Sequence, residues 1–351
     1  MIVLQYLLAI AGFSLIILVH EFGHFIFAKI FGIHVTEFFI GFGPKILKFK
    51  KKEKGTLYGI SAIPLGGYNK ILGFDRSEKV PEELKSRVFY DKAFIKKFLV
   101  ISGGGIFNIV IAYILIAIFL SMGVFTPTTV IDYIEPGSPA EASGFKLGDR
   151  IIELENNPVG TWDDFADQVK NYPDNEVVFK IERDKSVLEI DVTLSEAEGR
   201  GYLGIAPLLV KEKLGFFQII RESFKMLWDL STTYARLFGM LITGKIPFEY
   251  ARPTSPIGVI SIFQQSAALG FQNFILFVAV VSVLIAFGNF LPILPVDGGH
   301  LVIIIIEAIR KKPLPKKAVE IYSTLGLVII ISLLIIGLIF DIISPFNIQK
   351  M

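Results

Sequence analysis

The sequence predicts a polytopic α-helical membrane protein: four transmembrane helices, a membrane-associated β-hairpin or small sheet, and one inserted α+β domain. Three observations predict it. Of the 351 residues, 52% are apolar, and mean hydropathy is +0.60, too high for an ordinary soluble protein. Four apolar runs approach or exceed the roughly 20 residues that a membrane-crossing helix needs. Two intervening segments have a different texture. Residues 55–73 alternate and carry turn residues, and residues 128–195 read as short strands with one capped helix.

The first apolar run covers about 2–27, apolar up to Val19 apart from Gln5 and Ser14. It has no small-residue cleavage site before its two histidines and is read as a retained span. The second runs from Phe98 to Met122, the third from Phe274 to Val296, and the fourth from Ile321 to Phe340. Asn289, Pro292 and Pro295 interrupt the third. The expected division is therefore 1–28, first span; 29–97, cytoplasmic loop with hairpin; 98–122, second span; and 123–206, inserted domain. It continues with 207–273, amphipathic helices; 274–310, the broken third span; 311–320, basic linker; and 321–342, fourth span.

Orientation follows from charge. Lys45, Lys48, Lys50, Lys92, Lys96 and Lys97 lie between the first two spans, and Arg310, Lys311, Lys312, Lys316 and Lys317 between the last two. Such loops face the cytoplasm. Residues 123–273 and both termini then face outward. Residues 132–198 carry 17 Asp/Glu against 6 Lys/Arg, which suits an exported face. The net charge of +2 gives no reason to expect a nucleic-acid partner. In the hairpin segment Gly66-Gly67 is expected to close the turn, with Gly66, Gly67 and Tyr68 as candidate substrate contacts. In the inserted domain, Thr161 is expected to cap a helix to Val169. Residues 211–240 place Phe216, Phe217, Ile220, Phe224, Leu227 and Trp228 at helical spacing, as in a helix lying on a membrane surface.

The chemistry lies at the end of the first span. His20-Glu21-Phe22-Gly23-His24 spells H-E-x-x-H, the zinc metalloprotease helix motif. Histidines four apart share one helical face and can grip one zinc. Glu21, one residue round, is suited to take a proton from water and pass it to a leaving amine. The chain has no cysteine and four histidines, His20, His24, His34 and His300, so any metal is held by His, Asp and Glu. A catalytic zinc needs a third protein ligand. The first and third spans end on the same side, which brings Asp297 toward His20 and His24; Glu37, His34 and His300 are rival ligands. A zinc site at membrane depth implies a substrate in the membrane. A metal transporter using the same three ligands, and a catalytically silent membrane scaffold, are the alternatives. Glu21 has no obvious role in the first, and the intact His20, Glu21, His24 and Asp297 argue against the second.

With these motifs the chain resembles the site-2 protease family of intramembrane zinc proteases, specifically the bacterial regulator-of-sigma-E protease branch. The resemblance runs through HEFGH, GFGPKILKF, AIPLGGYNKILG, the GGGIFN of Gly103–Asn108 and NFLPILPVDGG, in that order. It implies a zinc on His20, His24 and Asp297, with Glu21 as general base and Asn108 and Asn289 seating substrate backbone. The chain departs from the family pattern at Gly104-Gly105, at Val296 and in the position of Pro295. The resemblance also makes 128–195 a PDZ-like domain, with Ile134–Val159 as its core and 201–205 as a carboxylate-binding loop. It implies a bacterial inner-membrane protein with its active site near the cytoplasmic side. Its substrates would be single-span proteins, anti-sigma factors and remnant signal peptides, first trimmed by a site-1-type protease.

Overall fold

The computed structural model describes residues 1–50, 55–245 and 253–346. In chain order the elements are α1 (Ile2–Ile30), β1 (Val35–Lys50), β2 (Leu57–Ile71), α2 (Phe94–Ser121), β3 (Val124–Ile134), α3 (Pro139–Ala142), β4 (Arg150–Leu154), β5 (Asn157–Pro158), α4 (Trp162–Val169), β6 (Glu176–Arg183) and β7 (Ser186–Thr193). β8 (Ser195–Ala197), β9 (Arg200–Tyr202), β10 (Ile205–Glu212), α5 (Phe216–Ile242), α6 (Pro256–Ala268), α7 (Phe271–Gly288), α8 (Asp297–Arg310) and α9 (Lys316–Ile343) follow. The chain forms two units: Met1–Leu120 with Phe216–Met351, and Ser121–Gly215.

In the helical unit, α1, α2, α7 and α9 are long and apolar enough to cross a membrane. The 29 residues of α1 rise about 43 Å, more than the roughly 30 Å of a hydrocarbon core. α1 is apolar nearly all round, yet its two faces differ. Ala9, Gly12, Ile16, His20, Gly23 and His24 are buried at helical spacing, while Leu4, Leu7, Leu15 and Phe22 are exposed. The histidines therefore lie on the protein-facing stripe. Phe263 of α6, fully buried, packs with Ala9 and Ile16 of α1 and Phe274 and Val278 of α7. The expectation for 207–273 is amphipathic helices, with 211–240 lying on a membrane surface. α5 fits it, exposing Phe217, Ile220, Phe224 and Trp228 at helical spacing, but α6 is part of the bundle because its aromatic face has partners.

The broken third span, 274–310, is made of two helices. α7 ends at Gly288 with Asn289 as its C-cap, and Asp297 is the first residue of α8. The prolines at 292 and 295 cannot continue the α7 ladder, and the freed backbone is tied locally. Gly298 N–H donates to the Asn289 carbonyl at 2.6 Å and Val296 N–H to Ile293 at 3.1 Å. α9 braces this link: Tyr322 Oη donates to the Pro292 carbonyl at 2.7 Å. A Cβ on Gly326 would fall 1.9 Å from the Leu294 carbonyl oxygen, a contact that needs glycine.

The hairpin expectation is corrected. Gly66 and Gly67 lie inside β2, where Gly66 backs onto Ile17 of α1. Residues 51–54, between β1 and β2, lie outside the described set. Each strand bends and pairs twice. Residues 45–50 pair with 61–57, and 35–40 pair with 71–67 while also lying alongside 57–60. The 67–71 half of β2 therefore has β1 on one side, and its residues run beside α1, where Ser14 Oγ donates to the Pro64 carbonyl.

In the second unit the sheet order is β10-β3-β4-β6-β7, with β5 paired to β4. β6 alternates as a half-buried strand should: Val177, Phe179 and Ile181 point into a core with Ile131, Ile151, Leu154 and Phe165. α4 starts on a capping box in which Thr161 and Asp164 bond each other's backbone. The expected domain end at 206 falls short, because β10 continues to Glu212 and pairs back to Val124. Asp149, 1% exposed, accepts Nε and a terminal N–H of Arg183, both at 2.6 Å. Replacing Arg183 by Met would strand a buried carboxylate. We expect about 2–3 kcal/mol of destabilisation in urea unfolding of a 121–215 fragment.

Candidate metal centre

Three donors converge from two helices. His20 Nε2 and His24 Nε2 lie 3.2 Å apart. Asp297 Oδ2 lies 3.1 Å from the first and 3.3 Å from the second. Zinc bonded to N and O ligands at about 2.0–2.1 Å in a tetrahedron sets its ligands about 3.3 Å apart. The triangle therefore has the size of one face of a zinc tetrahedron, with the fourth position left for water or substrate. Asp297 Oδ2 is buried and makes no well-formed hydrogen bond. An orphaned buried carboxylate oxygen facing two imidazole nitrogens fits a cation. Among the described residues this is the one group of three such side chains close enough to hold a metal.

The rings are oriented from behind. His24 Nδ1 is 2.8 Å from the Val100 carbonyl of α2, so it carries the proton and Nε2 keeps its lone pair for the metal. The Asn108 amide lies 3.4 Å from His20 Nδ1, and Asn108 Oδ1 is buried without a partner. Turning the amide so that Oδ1 accepts the His20 Nδ1 proton satisfies both groups. α2 approaches this closely because residue 104 is glycine. A Cβ there would lie 2.4 Å from His20 Cε1 and 2.6 Å from His24 Nε2.

Glu21 lines a cavity of about 650 Å³ with His24, Asn69, Pro295, Asp297 and His300, and with charged Lys70, Asp75 and Glu78. The rival ligands lie apart from the triangle. His300 stacks edge-on against Phe74 at 4.7 Å. His34 bonds through its backbone to Arg87 and Leu72. Glu37 is held by Lys45 at 2.7 Å and by Tyr68 Oη at 2.7 Å. Burial raises the Glu37 carboxyl, but that ammonium and hydroxyl outweigh it and hold it below the usual carboxylate range.

The expected substrate contacts lie behind the donors and along β2. Asn108 is fully buried, with its amide facing His20. Asn289 Nδ2 donates back to Ile285 of its own helix at 3.0 Å while its carbonyl anchors Gly298; it shapes the link that presents Asp297. Tyr68 turns toward Glu37, and Gly67 lies against Phe39. Asn69, which sequence reasoning passed over, donates to Glu21 Oε2 at 2.6 Å. Strand alternation carried the signal, since Tyr68 and Asn69 must face opposite sides of β2.

A model of peptidase family M50 matches residues 8–333. A Clostridium perfringens protein named as a zinc metalloprotease is 34% identical over 96% of this chain and 98% of its own length. A Rickettsia conorii protein named in the same way is 32% identical over 97% and 100%. Zinc metalloprotease RasP of Oceanobacillus iheyensis is 27% identical over 92% and 95%. Among solved structures, the PDZ domain of an SdrC-like protein from Listeria monocytogenes covers 25% of this chain and 92% of that chain, at 21% identity and TM-score 0.21.

Gly104→Ala is expected to push both imidazoles off their positions and weaken zinc binding about 10- to 100-fold. Zinc per chain, measured after equilibration with a graded chelator, checks this.

Proposed function

The chain belongs to peptidase family M50 and is a zinc metalloprotease; on that premise we propose that it cuts peptide bonds inside the transmembrane segments of single-span membrane proteins. The observation that carries the proposal is the position of the ligand triangle. His20 and His24 sit on the buried stripe of a helix long and apolar enough to cross a membrane. They are next to Glu21 and beside a cavity with a charged rim. A charged or metal-binding group inside a span is costly and is usually functional.

His20, His24 and Asp297 would hold the zinc. When bound, the zinc supplies Lewis acidity, which makes water a competent nucleophile near neutral pH. Glu21 takes the proton released by the attacking water and delivers it to the leaving amine. His24, donating to Val100, and His20, backed by Asn108, keep their Nε2 lone pairs directed inward. Asp297, at the first turn of α8, keeps its negative charge beside the positive end of that helix.

A helical substrate offers no free carbonyl, because each is hydrogen-bonded within the helix. Local unwinding is therefore required. The 67–71 half of β2 lies beside Glu21 and pairs on one side with β1, so an unwound segment can add to its other edge as a strand. Gly66, Gly67 and Tyr68 belong to that edge. The proposed physiological substrates are anti-sigma factors and remnant signal peptides, trimmed beforehand by a site-1-type protease. The inserted unit, read as PDZ-like, would admit trimmed substrates and refuse intact ones. In this reading the chain is a bacterial inner-membrane protein with both termini and the PDZ-like unit outside and the zinc near the cytoplasmic edge.

Purified wild type in detergent is expected to cleave a single-span reporter. Glu21→Gln should cut it at least about 10²-fold more slowly with zinc content retained; equal cleavage by both would remove Glu21 from the mechanism. Deleting 121–215, the whole inserted unit, is expected to release cleavage of untrimmed reporter in cells, read by immunoblot. Continued dependence on trimming would end the gating reading.

A further inference from the structure

We propose that Asn69 is a positioning residue for Glu21, so that the membrane-associated sheet, rather than the motif helix alone, sets the direction of the catalytic base. The inference rests on the reading of Glu21 as the base.

Asn69 Nδ2 donates to Glu21 Oε2 at 2.6 Å and also lies 3.1 Å from the backbone carbonyl of the same residue. Both partners are acceptors, so the amide nitrogen must be the atom that faces them. One nitrogen thus bridges the head and the root of a single side chain. Glutamate has several rotatable bonds and loses considerable rotamer freedom when ordered. A bridge of this kind holds the carboxylate against its own main chain, and the side chain cannot swing without breaking it. The helix offers no equivalent, and among the described residues no other hydrogen bond to the Glu21 side chain is seen. Oε2 is occupied by the amide, which leaves Oε1 to meet water.

The anchor is itself fixed. Asn69 lies opposite Phe38 in the sheet. The Phe38 ring packs against Phe25 at 4.9 Å and Phe22 at 6.3 Å, both on α1. β1, paired with the strand that carries the amide, is therefore clamped to the helix that carries the base, through Phe25 one turn from Glu21 and Phe22 next to it. Asn69 lines the same cavity as Glu21 and Asp297. A substrate strand adding to the 67–71 edge would be laid against the residue that aims the base. Binding and proton transfer would then share one element.

Asn69→Ala and Asn69→Asp test this, with Glu21→Gln in parallel. kcat and KM are measured on the single-span reporter, and zinc per chain on each protein. Ala is expected to lower kcat about 10- to 100-fold with KM and zinc content unchanged. Asp keeps the shape of Asn but replaces the donor with a second carboxylate, so it should lower kcat further than Ala. A space-filling role predicts the opposite order, because the isostere would then be the milder change. Wild-type kcat in either variant, an Asp variant no worse than Ala, or a loss of zinc or rise in KM that accounts for the lost rate would overturn the assignment. Full activity in Glu21→Gln would overturn it too, by removing the base on which it depends. An inactive Glu21→Gln beside fully active Asn69 variants would sink the positioning role alone.

Discussion

Three lone pairs pointed at one another from 3.1–3.3 Å are the constraint around which the helical unit is organised. Without a cation between them, two imidazole nitrogens and a carboxylate oxygen would be a buried desolvation cost with little return. Everything near them serves to bring them together. α1 presents the histidines on its buried stripe. α2 comes within touching distance because residue 104 has no side chain, and it supplies Val100 and Asn108 to hold the rings. The break between α7 and α8 delivers Asp297 at the start of a helix, where its charge is favoured. A straight third span would have carried the carboxylate along a lipid-like helix instead.

Much of this was legible in the chain. Hydropathy located four helices; flanking charged residues such as Lys96 and Lys316 belong to helices although composition alone assigns them to loops, and the third helix stops at Gly288, well before its apolar run does. The H-E-x-x-H spacing located two donors and the proposed base, and topology pointed to Asp297. Side-chain roles among the asparagines were less legible. Asn108 looked like a substrate contact and is packed behind His20. Asn289 bonds back to its own helix. Asn69 stood next to a nominated tyrosine and was passed over. An asparagine is recognisable in sequence as polar, but which of several buried acceptors it answers depends on helix and strand placement at the ångström level.

The sheet shows the same limit. Alternation and turn residues in 55–73 were correctly read as β, yet the glycines taken for the turn sit where β2 must pass close to α1. A glycine pair signals either a reversal or a close approach, and the two cannot be separated without knowing what lies opposite. The double pairing of β1 and β2 makes one pair of bent strands serve as a four-segment sheet. That economy lets the segment between α1 and α2 set a sheet beside Glu21.

Gly326 carries a different lesson. α9 is largely turned away from the rest of the molecule, with Leu325, Leu327, Val328 and Ile329 exposed around it. In a membrane those positions need only be greasy, and apolar residues can be exchanged there freely during evolution. Residue 326 cannot, because any side chain would collide with the Leu294 carbonyl on the stretch that leads to Asp297. α9 thus holds in Gly326 a position that drift cannot alter, and Gly337 is closed in the same way against the Ser255 backbone. Sequence comparison of α9 is expected to find a variable apolar surface with residue 326 held fixed, and that position would report on the approach to Asp297 in another helix.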